Sequence, residues 1–172
     1  METSLGEVEI ALFHSQAPIT VSNFLRYIDS GSYTNGNFYR VVRKDNDNGN
    51  PKITVIQGDV ADTKQQFDPI AFESTKQTGI LHLDGTLSMA RLGPDTATSA
   101  FFICVGPQPA LDFGGKRNPD LQGFAAFGRV TKGMEIVRKI NQSRDAKATE
   151  DPYLAGQMLK HPVVILSMQR KN

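Results

Sequence analysis

Apolar positions recur along the chain with two different periods. In LGEVEIALF (5–13), Val8, Ile10 and Leu12 alternate with Glu7, Glu9 and Ala11. Period two with charges on one side predicts a half-buried strand. In APITVSNFLRYIDSGSY (17–33) the period changes: Val21, Phe24, Leu25 and Ile28 fall at i, i+3, i+4 and i+7, one face of a helix. Pro18 suits its first turn and Gly31 its C-terminal cap. Strand-like runs then follow at short intervals: NFYRVV (37–42), ITVIQGDV (53–60), GTLSMAR (85–91), AFFICVG (100–106) and GFAAFGRV (123–130). A second helix is predicted in KGMEIVRKIN (132–141), with Met134, Ile136, Val137 and Ile140 as its apolar side, and HPVVILSMQ (161–169) closes the chain as a strand.

Many short strands separated by Gly, Pro and Asn turns, with two good helices, indicate a mainly β barrel or sandwich whose open ends the helices could plug. The 172 residues read as a single domain, 1–172, large enough for a core without metals or disulfides. Two long turn-rich segments, 43–52 and 109–123, interrupt the strands, and loops of that length are often functional.

Composition removes several function classes. Nineteen Lys and Arg against eighteen Asp and Glu leave a net charge of +1, which gives no electrostatic footprint for nucleic acid or an anionic membrane. No run approaches the roughly eighteen apolar residues of a membrane span. Met1 stands almost directly before the first strand, as in a mature or trimmed chain, so a missing leader decides nothing about export. The single cysteine, Cys104, allows no internal disulfide, and its setting in AFFICVG reads as a buried, inert thiol.

Candidate chemistry is sparse. Asp45, Asp47, Asn48 and Gly49 suggest calcium, but the twelfth position of such a loop falls on Ile56 instead of Glu, and a polar hairpin loop is favoured. His14, His82 and His161 are scattered, no G-x-S-x-G elbow exists, and Ser88 lacks its flanks, so a hydrolase has no visible pattern. GGKR is not a phosphate loop, because Ala110 stands where its first glycine belongs. No metal or cofactor is called for.

Arg40 remains. It places a permanent charge inside the apolar NFYRVV run. On the strand alone, a solvated outward-facing residue is the ordinary reading. The alternative is a donor beside a dry pocket, suited to prolyl isomerisation. Twisting an X–Pro bond localises a lone pair on nitrogen, and a preorganised N–H aimed there stabilises the twisted state without nucleophile or metal.

Ordered blocks decide between these readings. APITVSNFLRYIDSGSYTNGNFYRVV, VIQGD, GTLSMAR, GPDTATSAFFICVG, LDFGG and GFAAFGRVTKGMEIV follow one another as in the cyclophilins, and the chain resembles a bacterial member of that family of peptidyl-prolyl cis-trans isomerases. The resemblance implies a closed eight-stranded antiparallel β-barrel capped by two α-helices, with a substrate groove on its outer wall. It implies that Arg40 is the catalytic residue and that Gln57 bonds the substrate backbone. Phe102 matches the floor of the proline pocket and Leu111 its wall. Ala90 and Arg91 match the segment whose backbone pairs with an extended peptide.

The chain also departs from the best-known pattern. Tyr39 stands where histidine is common, Thr54 and Val55 where Phe and Met often line the pocket, and Ala100 where glutamine is usual. Phe124 occupies a position often held by histidine, and Ala110 one often held by the tryptophan that packs on cyclosporin. Tyr39, Val55 and Phe124 are nevertheless carried as substrate-binding positions. The expected partners are proline-containing polypeptides, met by a monomer that binds neither nucleic acid nor membrane. The rival is a barrel that grips proline segments without rapid turnover. The last strand resembles that of exported members, which favours the periplasm over the cytoplasm.

Overall fold

A computed structural model describes residues 1–171. Its nine strands are β1 (Glu2–Thr3), β2 (Gly6–Glu7), β3 (Glu9–Leu12), β4 (Asn37–Val42), β5 (Val55–Asp59), β6 (Thr86–Met89), β7 (Phe101–Cys104), β8 (Ala125–Lys132) and β9 (Met158–Ser167). They form one antiparallel sheet in the order β2-β1-β9-β4-β5-β7-β6-β8-β3. Its two terminal strands, β2 and β3, are separated in sequence by Val8 alone, so the chain itself joins the ends and the sheet wraps into a barrel. The expected count was eight. The ninth arises because the LGEVEIALF run changes partner at Val8: Val8 exchanges backbone bonds with Met1, at 2.9 and 3.1 Å, as the next step of the β1–β2 register, and from Glu9 onward the run pairs with β8. Taken together, β2 and β3 make one stave, and the staves number eight.

The helices are α1 (Pro18–Asp29), the single turn α2 (Thr75–Thr78) and α3 (Met134–Asn141), with a 3-10 turn at Pro109–Leu111. α2 was not expected; it is too short for an apolar period. Its signal is the S-x-x-Q capping box, in which Gln77 Oε1 accepts the Ser74 N–H at 2.8 Å.

α1 turns a different face inward from the one its apolar period predicts. Val21, Phe24 and Tyr27 are buried together with Thr20 and Asn23, whereas Leu25 and Ile28 are half-buried. The polar pair is tolerated inside because each finds partners. Asn23 donates to the Thr98 carbonyl at 2.6 Å. Glu73 accepts the Thr20 N–H at 2.8 Å, its hydroxyl at 2.6 Å and the Ile19 N–H at 3.2 Å, a carboxylate where the helix dipole favours one. α3 behaves as read, burying Val137 and Ile140 and partly burying Met134 and Ile136. Gly133, which precedes it, has φ +92°, and a Cβ there would stand 2.4 Å from the Glu7 carbonyl, so only glycine fits.

Alternation along the strands builds two apolar clusters. Inside the barrel, Phe24, Tyr33, Phe38, Phe101 and Phe127 pack with ring centroids 5.0–5.6 Å apart. Burial of each such side chain contributes on the order of 1.5–3 kcal/mol. Outside it, Val42, Ile53, Val55, Phe102, Cys104 and Leu111 form a second cluster, edged by Ala90, Ala110 and Phe124. Ile56, Phe101 and Ile103 point inward while their neighbours Val55, Phe102 and Cys104 join the outer cluster. That outer cluster carries the site.

Candidate active site

A β-bulge sets the direction of Arg40. β4 pairs with β5 as Phe38↔Gly58 and then Arg40↔Gln57, which leaves Tyr39 as the extra residue. Without the bulge, Arg40 would follow Phe38 into the barrel, where an unpaired guanidinium is very costly. With it, Tyr39 and Arg40 both meet the outer wall, and Val41 returns to the core.

The guanidinium is half-buried and held by two neutral amides. Arg40 Nη1 donates to Gln57 Oε1 at 3.1 Å, and Nε and Nη2 both donate to Gln157 Oε1, at 2.9 and 2.6 Å. The Tyr153 ring lies 5.4 Å from the guanidinium carbon. Gln57 Nε2 in turn donates to the Tyr39 hydroxyl at 2.6 Å. Burial, with the Asp59 charge adding to it, pushes the Tyr39 phenol up to about 12 against the opposing pull of Arg40 and Gln57.

Arg40 edges a groove of about 660 Å³, whose lining includes Val55, Gln57, Ala90, Arg91, Phe102, Leu111 and Phe124. Eight of the nine candidate residues therefore share one concavity. Tyr39 is not among the lining residues and reaches the groove through Gln57. Phe102 forms the floor and meets Phe124 edge-on, with centroids 5.3 Å apart. Arg91 is committed to Asp120, at 2.8 and 3.0 Å, and to the Gly123 carbonyl. The Ala90 N–H is taken by the Ala100 carbonyl at 2.9 Å, so a peptide paired at 90–91 must use the other backbone groups.

Three loops close around the Arg40 end. Arg117, from the 109–123 segment, binds both Asp47 oxygens at 2.8 Å and the Pro51 carbonyl at 2.8 Å, which ties the two loops singled out in the sequence to each other. Asp47 also accepts the Ile53 and Gly49 N–H groups, at 2.7 and 2.9 Å. Its carboxylate is spent on loop structure. A third segment, 151–157, supplies Asp151, Tyr153 and Leu154 to the lining, and Arg117 donates to the Tyr153 hydroxyl at 2.7 Å. Neither Tyr153 nor Gln157 was expected. The turn carrying them lies more than a hundred residues from Arg40 and has no motif.

The family sequence model described as cyclophilin type peptidyl-prolyl cis-trans isomerase/CLD matches residues 1–170. This chain is a cyclophilin. It is 39% identical over 144 residues to peptidyl-prolyl cis-trans isomerase A of Dickeya dadantii, covering 83% of this chain and 70% of that one. It is 35% identical over 176 residues to a peptidyl-prolyl cis-trans isomerase of Acinetobacter baylyi, covering 100% and 84%. In structure it is similar to a Cryptosporidium parvum cyclophilin solved in the presence of the dipeptide Ala-Pro, with TM-score 0.69 over 99% of this chain and 96% of that one. At 22% identity that likeness carries the cyclophilin barrel alone.

Within this cyclophilin, Asp112, His82 and Ser88 form a hydrogen-bonded chain that spacing did not reveal. His82 Nδ1 lies 2.7 Å from Asp112 Oδ1, and Nε2 lies 2.9 Å from Ser88 Oγ. The order matches a hydrolase triad, but Ser88 is 0% exposed. His82 is stacked on Phe102, with rings 5.9 Å apart and 15° from parallel. No carbonyl can reach a hydroxyl sealed in this way, so the chain supports the groove floor and does not attack. Cys104 in the same layer is also inert, its thiol pushed well up by burial and then by the Asp112 and Asp84 charges.

A larger concavity of about 830 Å³ lies among the first strands, α1 and residues 167–171. It contains none of the candidate residues, and its Glu9 is paired with Lys171 at 2.9 Å.

Proposed function

We propose that this cyclophilin accelerates rotation about X–Pro bonds in polypeptides, with Arg40 as its catalytic residue. The observation that carries this reading is a guanidinium held by two neutral amides at the edge of an apolar hollow floored by Phe102. Resonance sets the rotation barrier at about 18–20 kcal/mol, and the uncatalysed step takes tens of seconds. The proline ring seats on Phe102 between Val55, Leu111 and Phe124, and Gln57 bonds the adjacent backbone. As the bond twists, a guanidinium N–H meets the lone pair that appears on the prolyl nitrogen. This interaction strengthens only in the transition state, which is the condition for raising the rate. Neutral acceptors matter, because a carboxylate partner would offset the charge that stabilises that electron pair.

NMR exchange spectroscopy on a short Ala-Pro peptide tests the reading. Catalytic amounts of protein are expected to speed cis–trans exchange. Chemical-shift changes without acceleration would support a binding module instead.

A further inference from the structure

Arg40 is a long side chain at the rim of a groove, and such a side chain has many rotamers to lose when it is fixed in one. Gln57 restrains only Nη1. The plane of the fork is set from the other side, by Gln157. Its Oε1 accepts Nε and Nη2 together, at 2.9 and 2.6 Å.

Gln157 is itself held in one orientation. It is 0% exposed, and its Nε2 donates to the Asn46 and Tyr153 carbonyls, both at 3.0 Å. Flipping the amide would set its NH₂ against the N–H groups of Arg40 and its oxygen against two carbonyls, so only one assignment satisfies every partner. The main chain contributes separately, since the Val41 N–H donates to the Gln157 carbonyl at 2.9 Å. That bond holds the main chain of residue 157 against β4 whatever its side chain. Of the five guanidinium N–H groups, three are thereby used within the protein, and one on each of Nη1 and Nη2 is left over.

We infer that Gln157 is a positioning residue that fixes the plane of Arg40 and preserves its charge. This rests on the reading of Arg40 as the catalyst. Gln157 is fully buried and lies outside the groove lining, so its contribution is to kcat and passes wholly through Arg40.

The test is a cycle of Arg40→Ala, Gln157→Ala and the double variant, with kcat and KM measured from peptide exchange at several peptide concentrations. Gln157→Ala is expected to lower kcat by roughly 10- to 100-fold, the scale of a misplaced group, and to change KM by less than about threefold. In the Arg40→Ala background the same substitution should remove nothing further. Gln157→Glu gives an independent readout. It keeps the acceptor and adds a negative charge, so kcat should be reduced at neutral pH and recover as the new carboxyl is protonated in acid, a pH dependence the unaltered protein lacks.

Wild-type kcat in both Gln157 variants, or an equal loss with and without Arg40, would overturn the inference. A Gln157→Ala protein that fails to fold leaves the decision to the Gln157→Glu pH profile, where a flat line overturns it. If Arg40→Ala alone is fully active, the catalytic reading fails. If Arg40→Ala is inactive while Gln157→Ala keeps its kcat, only the positioning role fails.

Discussion

Arg40 and Gln57 are register partners across β4 and β5, and their side chains meet at 3.1 Å on the outer wall of the barrel. The bond depends on a planar donor able to satisfy Gln57 and Gln157 at once. A lysine ammonium keeps the charge but not the fork. Arg40→Lys is therefore expected to stay within about tenfold of Arg40→Ala in peptide exchange. Near-wild-type turnover in the lysine variant would show that charge alone suffices.

On the proposed mechanism Tyr39 acts through Gln57, which donates to its hydroxyl, and not through a proton. With its phenol pushed up to about 12, it stays neutral throughout the neutral range. Tyr39→Phe removes the acceptor for Gln57 Nε2 but leaves the bond to Arg40. Activity should remain within about threefold of wild type, and kcat should be flat between about pH 6.5 and 9. A loss of two orders of magnitude, or a steep limb in that window, would contradict this assignment.

The Asp47–Arg117 pair ties two loops together at the rim, and both side chains are almost fully buried. Burial opposes ionisation of Asp47. The Arg117 hydrogen bonds, the Ile53 and Gly49 N–H groups and the Arg117 charge outweigh it, so the carboxyl titrates below its ordinary value of 3.8. A depressed carboxylate contributes stability that is present above its unfolded pKa and lost as pH falls through the folded one. Asp47→Asn strands a buried guanidinium and should cost about 3–5 kcal/mol in urea unfolding at neutral pH. The difference from wild type should shrink below about pH 4. A difference that does not vary with pH would contradict the pairing.

Cyclosporin should bind this chain weakly. The family's groove indole is absent, because the chain has no tryptophan and Ala110 edges the outer cluster where that residue is expected. Losing the donor and most of the apolar contact is worth about 1 kcal/mol or more each, which lowers affinity roughly 10- to 100-fold relative to members with the tryptophan. Tyr153 is another aromatic residue in the groove lining, and its hydroxyl is engaged by Arg117. Calorimetric titration decides the point. Nanomolar binding that disappears in Tyr153→Ala would mean that Tyr153 has taken over the indole's role.

Much of this arrangement was legible in the chain. Phe102 and Cys104 alternate with Phe101 and Ile103, so the two faces of β7 can be read from period two once the fold is known. Arg40 was legible as an anomaly, an arginine in an apolar run, but its direction was not. Strict alternation sends it inward with Phe38, and only the bulge at Tyr39 turns it out. The face of α1 was misread because Thr20 and Asn23 count as polar until Glu73 and the Thr98 carbonyl are seen to satisfy them. Gln157 and the Asp112–His82–Ser88 chain rest on contacts between distant segments, for which local period and spacing carry no signal.

The most direct test of the central claim compares wild type and Arg40→Ala in exchange spectroscopy on one Ala-Pro peptide, with peptide affinity and thermal unfolding measured in parallel. The variant is expected to lose roughly two to three orders of magnitude in turnover, the usual scale for one preorganised donor. Affinity should change by less than about tenfold, because Phe102, Val55 and Leu111 still line the groove. Wild-type turnover in a folded, peptide-binding Arg40→Ala protein would contradict the account.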